Sequence, residues 1–291
     1  MVTTTAPAAG DVPMTLTATS TDSWGLLAGD ELVPGRVVHA LLGGGTSYEA
    51  YLVFDQWLHY AAVAKVLRPS RAEDLEARRG LAREAALLDR LRHPVVVRSF
   101  GAVLDGPRPH VLLEHLEGPR LSSLVRRHGP LALEQLLPLA LELSSALHHL
   151  RAEGLVHLDV KPGNVVMAAP PRLIDLSVAR TVEQAAVLQH VVGTDGYLAP
   201  EQQHPWTGEV GPAADVHGLG ATLVHAATGR PPTPDGLPEG VPARLVGLVR
   251  ACLAPRPADR PTPGQVAEAV EPLIALLPRP VLAGFRPTPR R

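Results

Sequence analysis

The stretch HLDVKPGNVV, residues 157–166, combines side chains that are rare in the rest of the chain. Lys161 is one of only two lysines among 27 basic residues, and Asn164 is the only asparagine in 291 residues. Asp159 lies two positions before Lys161. Because the chain uses arginine almost everywhere else, a lysine and an asparagine beside this aspartate indicate a chemical requirement for those two side chains.

Four other features lie within or at the ends of apolar segments. Lys65, the second lysine, ends the apolar run AAVAK, and Asp175 ends the run RLID. Glu84 lies at an apolar spacing on the next predicted helix, which favours an inward-facing carboxylate. The sequence LGGG at 42–45 predicts a turn between two strands. These positions are candidates for one shared site with Asp159.

Composition and charge restrict the class of protein. The chain is 45% hydrophobic and 19% charged, which is typical of a globular protein. Its net charge of −2 gives no attraction to nucleic acid or to membrane surfaces. The single cysteine, Cys252, excludes an intramolecular disulfide, and the 13 histidines show no metal-ligand spacing. With no signal-peptide pattern and no apolar run of about 20 residues, we expect a cytoplasmic protein without membrane insertion.

Hydrophobic periodicity divides the chain into a β-rich part and a helical part. Strand patterns with one long helix dominate up to Glu114, and helical patterns dominate after Gly118. The predicted organisation is a flexible arm at 1–33, an N-terminal lobe at 34–114, a hinge at 114–118, a C-terminal lobe at 119–277, and a Pro/Arg-rich tail at 278–291.

The candidate residues match the needs of phosphoryl transfer. A carboxylate has to orient and deprotonate the attacking hydroxyl, and a cation has to steady the phosphates. Two oxygen ligands of different types can hold Mg²⁺, and a glycine turn lets backbone N–H groups approach phosphate oxygens. A compact ammonium suits such positions, because the planar guanidinium of arginine does not substitute freely for it.

From about Arg36 to Pro272 the chain resembles the eukaryotic-type, or Hanks-type, serine/threonine protein kinases of bacteria. The motifs HLDVKPGN at 157–164 and GTDGYLAPE at 193–201 are specific, whereas the glycine turn alone is a weak signal. The resemblance implies an α+β, two-lobed protein-kinase-like fold with a small β-rich N-lobe and a larger helical C-lobe. It also implies ATP and Mg²⁺ as cofactors and proteins as substrates, and it leaves the oligomeric state open.

The resemblance further implies roles for individual residues. The implied catalytic residues are Asp159 as the base, Lys161 and Lys65 as phosphate-binding cations, and Asn164. The implied metal ligands are Asn164 and Asp175. The implied nucleotide-binding residues are Leu42, Gly43, Gly44, Gly45, Ala50, Val63, Lys65, Glu84, Glu114, Leu116 and Val166.

Five more positions match supporting residues of that family. Glu201 would pair with Arg260, and Asp215 would anchor the loop that carries Asp159. Thr194 would line the pocket for the substrate hydroxyl, and Leu113 falls at the gatekeeper position.

Several positions depart from the family pattern. Tyr48 replaces the third glycine of the turn, and Ser177 replaces the glycine of the metal motif. Ala50 and Val63 exchange a small and a larger side chain while keeping the total volume, which favours a real adenine slot. Taken singly, the glycines also fit a plain hairpin, and Lys65 also fits a solubilising charge on an edge strand.

Leu158 replaces the arginine that, in the resembled family, grips a phosphothreonine on the activation segment. In this chain the activation segment, residues 176–193, has hydroxyl groups only at Ser177 and Thr181, both near its start. We therefore hypothesise that activity does not depend on phosphorylation of this segment.

Two alternative functions fit parts of the pattern. A pseudokinase would keep the fold as a nucleotide-binding scaffold, and Tyr48 and Ser177 motivate that interpretation. A small-molecule phosphotransferase of the antibiotic-resistance type would share the base and metal residues. It would lack the GTDGYLAPE motif and the pairing of Glu201 with Arg260.

Overall fold

The computed structural model describes residues 22–232, 237 and 241–277 of the chain. Its N-terminal part is a six-stranded antiparallel sheet with strand order β1-β2-β3-β4-β6-β5. The strands are β1 (Glu31–Val33), β2 (Arg36–Gly44), β3 (Tyr48–Asp55), β4 (Tyr60–Leu67), β5 (Ser99–Val103) and β6 (His110–Glu114). The strands predicted for the N-terminal lobe are confirmed.

The central strands bury both faces of the sheet. Burial alternates along β3 between buried and partly buried residues, because successive side chains point to opposite faces of the sheet. One face packs against α2 (Leu75–Arg90), which follows the short helix α1 (Pro69–Ala72). The Asp74 carboxylate caps α2 by accepting the backbone N–H groups of Glu76 and Ala77.

Residues 22–33 do not form part of a flexible arm, so our prediction for residues 1–33 was wrong in this portion. They cross the face of the sheet opposite α2, where Trp24, Leu26 and Leu32 pack against a cluster that includes Tyr51 and Leu112. The prediction failed because the apolar residues in this portion are spaced with neither the period of a helix nor that of a strand, so the sequence pattern does not indicate that they are packed. Residues 1–21 and the predicted tail at 278–291 lie outside the described residues.

A buried histidine opens strand β6. The His110 ring lies 2.7 Å from Arg36 Nη1 through Nε2, and 2.7 Å from the Arg108 carbonyl through Nδ1. The ring is fully buried. Burial lowers the pKa of His110 from its ordinary value of 6.5 to about 4, so the imidazole is neutral at pH 7.

The C-terminal part is helical, and the predicted two-lobed α+β fold is confirmed. Its helices are α3 (Leu121–His128), α4 (Leu133–Ala152), α5 (Val182–Ala186), α6 (Pro200–Gln203), α7 (Pro212–Thr228), α8 (Ala243–Cys252) and α9 (Pro263–Ile274). Its two strand pairs are β7 (Leu155–Val156) with β10 (Arg180–Thr181), and β8 (Val165–Val166) with β9 (Arg172–Leu173). Within the described ranges, no helix has the length and apolar character that crossing a bilayer requires.

One continuous apolar core joins the two parts of the molecule. It runs from Leu81 in α2 and Leu113 in β6 to Leu143 in the central helix α4, which packs against α7 and α9. The loop that follows α2 contributes Val95 to the same core. The sheet and the helices therefore share a packed interior, and the candidate site lies where they meet.

Candidate active site

Asp159 lies at the centre of a cluster of polar side chains. Its Oδ1 accepts a hydrogen bond from the Thr194 hydroxyl at 2.7 Å. Its Oδ2 lies 2.8 Å from Lys161 Nζ and accepts from Asn164 Nδ2 at 2.9 Å. The structure therefore brings together the three residues of the HLDVKPGN motif and the threonine 30 positions after Asn164. These contacts fix the orientation of the Asp159 carboxylate.

The loop that carries Asp159 is anchored by Asp215, which lies in α7. The buried Asp215 carboxylate accepts the backbone N–H groups of His157 at 2.7 Å and of Leu158 at 2.8 Å. Leu158 has a φ of 68°, a left-handed conformation that costs a non-glycine residue roughly 1–2 kcal/mol. The two hydrogen bonds to Asp215 hold the loop in this conformation, as expected for an anchor.

Lys65 on β4 joins two carboxylates from distant parts of the chain. Its Nζ lies 2.7 and 2.8 Å from the two carboxylate oxygens of Glu84, and 2.7 Å from Asp175 Oδ1. Burial alone would lower the pKa of Lys65, but Glu84 and Asp175 outweigh it and raise that pKa. Burial likewise opposes ionisation of Asp175, but Lys65 outweighs it and holds that pKa well below its usual range. Lys65 and Asp175 are therefore charged at neutral pH, whereas burial raises the pKa of the Glu84 carboxyl in spite of the Lys65 charge beside it.

Asn164 and Asp175 flank a short hairpin that places their side chains near each other. The Ile174 N–H donates to the Asn164 carbonyl at 2.9 Å, one step beyond the pairing of β8 with β9. Asn164 uses its Nδ2 on Asp159, and Asp175 uses its Oδ1 on Lys65. Within the described part of the chain, Asn164 Oδ1 accepts no hydrogen bond, and Lys65 contacts Asp175 through Oδ1 and not through Oδ2, so each side chain has an oxygen that a metal ion could use. This pair suits Mg²⁺, which takes few protein ligands and completes its shell with phosphates and water.

The three glycines of the turn have different structural roles. Gly43 has a φ of 137°, which strains any other residue. A Cβ on Gly44 would lie 2.5 Å from the Tyr48 carbonyl, so the turn closes against this position. Gly45 has open space around it, and its N–H donates to the Tyr48 carbonyl at 2.9 Å. The Tyr48 ring lies 4.6 Å from Lys65 Nζ, which places it beside the Lys65 cluster.

The other residues predicted to bind the nucleotide lie around the junction of sheet and helices. Ala50 pairs with Lys65, and Val63 pairs with Leu113, so these side chains share one face of the sheet. Val166 forms a bridge with Arg120 directly after the predicted hinge. The other three predicted contacts are Leu42 at an irregularity of β2 and half exposed, Glu114 at the end of β6, and Leu116 packed on the core.

The comparison with known proteins agrees with this geometry. The sequence model of one family, described as the protein kinase domain, matches residues 36–270. The chain belongs to the protein kinase domain family. It is 37% identical to the probable serine/threonine-protein kinase PkwA of Thermomonospora curvata over 80% of this chain and 34% of that protein.

Two other bacterial proteins give similar matches to this kinase domain. They are the serine/threonine-protein kinase PkaA of Streptomyces coelicolor (31% identical over 71% of this chain and 42% of that protein) and PknB of Mycobacterium leprae (30% identical over 76% and 40%). The kinase domain therefore spans between a third and a half of the length of these relatives.

In this kinase domain an apolar cluster, here called the Leu158 cluster, holds the activation segment. The cluster contains Val156 and Leu158 together with residues from the segment and from the stretch of chain after it: Ala185, Leu188, Val192, Ala199, Val210 and Ala214. The Gln202 side chain adds polar contacts, because its Nε2 donates to the carbonyls of Leu158 and Val192, both at 2.9 Å. The position where the family carries an arginine is thus filled by a buried leucine that belongs to the same apolar cluster as residues of the segment.

The two residues that follow Asp175 in the metal motif, Leu176 and Ser177, fit the local structure. Leu176 is buried in the main core, where its side chain fills an apolar site. Ser177 does not have a positive φ, so a serine at this position causes no backbone strain. Thr181 is the N-cap of α5 and forms a capping box with Gln184, which gives its hydroxyl a structural role.

The predicted pairing of Glu201 with Arg260 occurs as a buried bidentate ion pair. The two nitrogen–oxygen distances are 2.6 and 2.8 Å. Arg260 also donates to the carbonyls of Ala213, Ala254 and Pro255, so all five of its N–H groups are used. The pair joins helix α6 to the loop before α9.

Three residues that support the glycine turn were not predicted from the sequence: Arg68, Glu49 and Trp24. Arg68 is one of many arginines and no motif marks it. Glu49 did carry a signal, because it alternates in phase with the buried residues Tyr51 and Val53 of β3. A charge in phase with a buried strand face indicates a buried partner.

Proposed function

We propose that the chain is a protein serine/threonine kinase that transfers the γ-phosphoryl group of ATP to a serine or threonine hydroxyl of a protein substrate. One observation carries the proposal: the Asp159 carboxylate is hydrogen-bonded to a threonine hydroxyl, that of Thr194, and lies beside an ammonium group. A substrate hydroxyl placed near Thr194 would meet the same oxygen acceptor. The names of the relatives support protein as the substrate class.

The residues of the site divide the work of the transfer. Asp159 orients the acceptor hydroxyl and takes its proton as the oxygen attacks phosphorus. Lys161 and Lys65 place positive charge where the phosphate oxygens gain negative charge. Asn164 and Asp175 would hold Mg²⁺, which neutralises the phosphates when it is bound. The hydrogen bonds around Asp159 keep its basic oxygen in position before the substrate arrives.

A scaffold without activity is the less favoured alternative. A scaffold has no need for the Lys65–Glu84–Asp175 cluster together with an oriented Asp159. The two departures that motivated this alternative, Tyr48 and Ser177, leave those contacts in place.

We also propose that the enzyme is active without phosphorylation of its activation segment. The Leu158 cluster supports this, because packing supplies the anchorage that an arginine–phosphate contact would otherwise supply. A cytoplasmic location is proposed as well, since it provides ATP and suits the buried free thiol of Cys252.

The test is a phosphorylation assay with labelled ATP, Mg²⁺ and a general protein substrate, on the wild type and on Asp159→Ala. A matched control is Asp105→Ala, which removes an exposed carboxylate from the N-terminal lobe. We expect label with the wild type and the control and none with Asp159→Ala. Equal label with wild type and Asp159→Ala would refute the role of Asp159. No label with a wild type that binds nucleotide would favour the scaffold.

A further inference from the structure

Arg68, directly after β4, holds the glycine turn by two of its carbonyl groups. Its backbone N–H donates to the Ser47 carbonyl at 3.0 Å, and its Nε donates to the Gly45 carbonyl at 2.6 Å. A Cβ on Gly44 would lie 3.2 Å from Arg68 Nη2, so the side chain packs closely along the turn. No other side chain described in the structure donates to the backbone of residues 43–47.

These contacts set the direction of the peptide groups in the turn. The carbonyl and the N–H of a trans peptide unit point in opposite directions, because the unit is planar. With the Gly45 carbonyl directed at Arg68, the N–H of Thr46 points away from Arg68. That N–H donates to no residue in the described part of the chain, and it lies in an exposed turn. It is therefore available to an anionic ligand such as a phosphate group.

Arg68 is in turn held by a buried carboxylate and by the chain before the sheet. Its Nη1 lies 3.3 Å from Glu49 Oε1 and also donates to the Asp22 carbonyl. Glu49 is buried, and its Oε2 accepts from the Tyr51 hydroxyl at 2.9 Å and from the Trp24 N–H at 3.1 Å. Glu49 therefore joins Arg68 to the N-terminal segment in one hydrogen-bonded network.

The N-terminal segment 22–27, here called the Trp24 strap, is anchored at several points. Trp24 Nε1 donates to the Leu67 carbonyl at 2.7 Å, next to Arg68 in the chain. The Arg108 guanidinium lies 5.2 Å from the Trp24 ring centroid. The Asp22 carboxylate accepts from the backbone N–H and the hydroxyl of Ser70 at 2.8 and 2.7 Å. The strap is thus fixed on both sides of Arg68.

We propose that Arg68 is a positioning residue for the glycine turn and that the Trp24 strap holds it in place, so that nucleotide affinity depends on residues before the family match. The inference rests on the proposed function in that the ligand of the turn is taken to be a nucleotide phosphate. The strap precedes residue 36, where that match begins, and a chain shortened to the match would lose it.

The test measures binding of Mg²⁺·ADP by calorimetry and the KM values for ATP and protein substrate, on the full chain. Arg68→Ala is expected to weaken nucleotide binding and raise the KM for ATP about tenfold, with kcat and the KM for protein changed less than threefold. Arg68→Lys keeps one charge but cannot contact Gly45 and Asp22 together, so an intermediate effect is expected. Trp24→Ala is expected to weaken nucleotide binding in the same direction, and Trp24→Phe less so.

Arg78→Ala is the matched control, because Arg78 donates to three backbone carbonyls of the same lobe, those of Ala72, Leu104 and Gly106. It is expected to lower the melting temperature as Arg68→Ala does, with unchanged nucleotide affinity. The proposal is overturned if Arg68→Ala binds Mg²⁺·ADP as tightly as the wild type, if Arg78→Ala weakens binding equally, or if the wild type binds no nucleotide. A wild type that binds nucleotide but transfers no phosphate would refute the kinase function alone, because the binding measurements need no transfer.

Discussion

Shortening Leu158 to alanine is expected to loosen the activation segment without disturbing the rest of the molecule. The Leu158 side chain is buried, and it belongs to the same apolar cluster as Ala185, Leu188 and Val192 of the segment. Truncation of a buried leucine to alanine costs about 2–5 kcal/mol. Part of this free energy comes from the contacts that order the activation segment. Each 1.4 kcal/mol lost there changes the equilibrium between the ordered and the disordered segment about tenfold.

The matched control is Leu143→Ala, which removes the same atoms from the main core in α4. Both variants are expected to lose a similar free energy of unfolding in urea. Only Leu158→Ala is expected to increase hydrogen exchange across residues 182–192 and to lower kcat about tenfold. Thr181→Ala is expected to stay active, losing only the N-cap of α5, worth about 1 kcal/mol.

Two results would refute this reasoning. If Leu158→Ala shows the exchange and kcat of the Leu143→Ala control, the cluster does not order the segment. If Thr181→Ala is folded and inactive, its hydroxyl has a role in activation, and the proposal of activity without phosphorylation is wrong.

Three further predictions concern stability. Glu201→Ala is expected to lower the free energy of unfolding in urea by about 3–5 kcal/mol, because it leaves the Arg260 charge buried and unpaired. Asp259→Ala, which removes an exposed ion pair, is expected to lower it by less than about 1 kcal/mol. Equal losses in the two variants would contradict a stabilising role of the buried pair. Gly80→Ala is expected to raise the free energy of unfolding by about 1 kcal/mol, because Gly80 is inside α2 and a Cβ there meets no atom closer than 3.8 Å; a lower melting temperature would contradict this. His110 has a pKa below its ordinary value in the folded protein, so folding favours the neutral imidazole. Its contribution to the free energy of unfolding is therefore complete above pH 6.5 and is lost as the pH falls toward 4. Linkage gives a loss of about 2 kcal/mol at pH 5, which His110→Gln should abolish in melts across that range; the same pH dependence in both proteins would show that His110 is not the titrating group.

Local sequence was sufficient to predict the parts of the site that are close in sequence or lie in regular elements. Asp159, Lys161 and Asn164 share one loop, and Lys65 and Glu84 lie on a strand and on the helix after it. Lysine and asparagine are rare in this arginine-rich chain, so their positions indicate a chemical role. The alternation in β3 and β4 was likewise sufficient for the sheet.

The supports around the site were not predictable in the same way. Trp24 contacts Leu67 and Glu49, which are 43 and 25 residues away, and no periodicity connects them. The loss of an arginine at Leu158 was visible, but the cluster that replaces it is built from residues up to Ala214. Contacts of this kind depend on tertiary packing, which the one-dimensional pattern does not contain.

The continuous core has a consequence for how the molecule can be divided. Because Leu81, Leu113 and Leu143 belong to one packed interior, a fragment cut at the hinge would expose apolar surface on both pieces. We expect one cooperative thermal transition instead of separate transitions for two lobes. A chimera that takes its sheet half from a relative would therefore also have to take the residues of the helical half that belong to the same core.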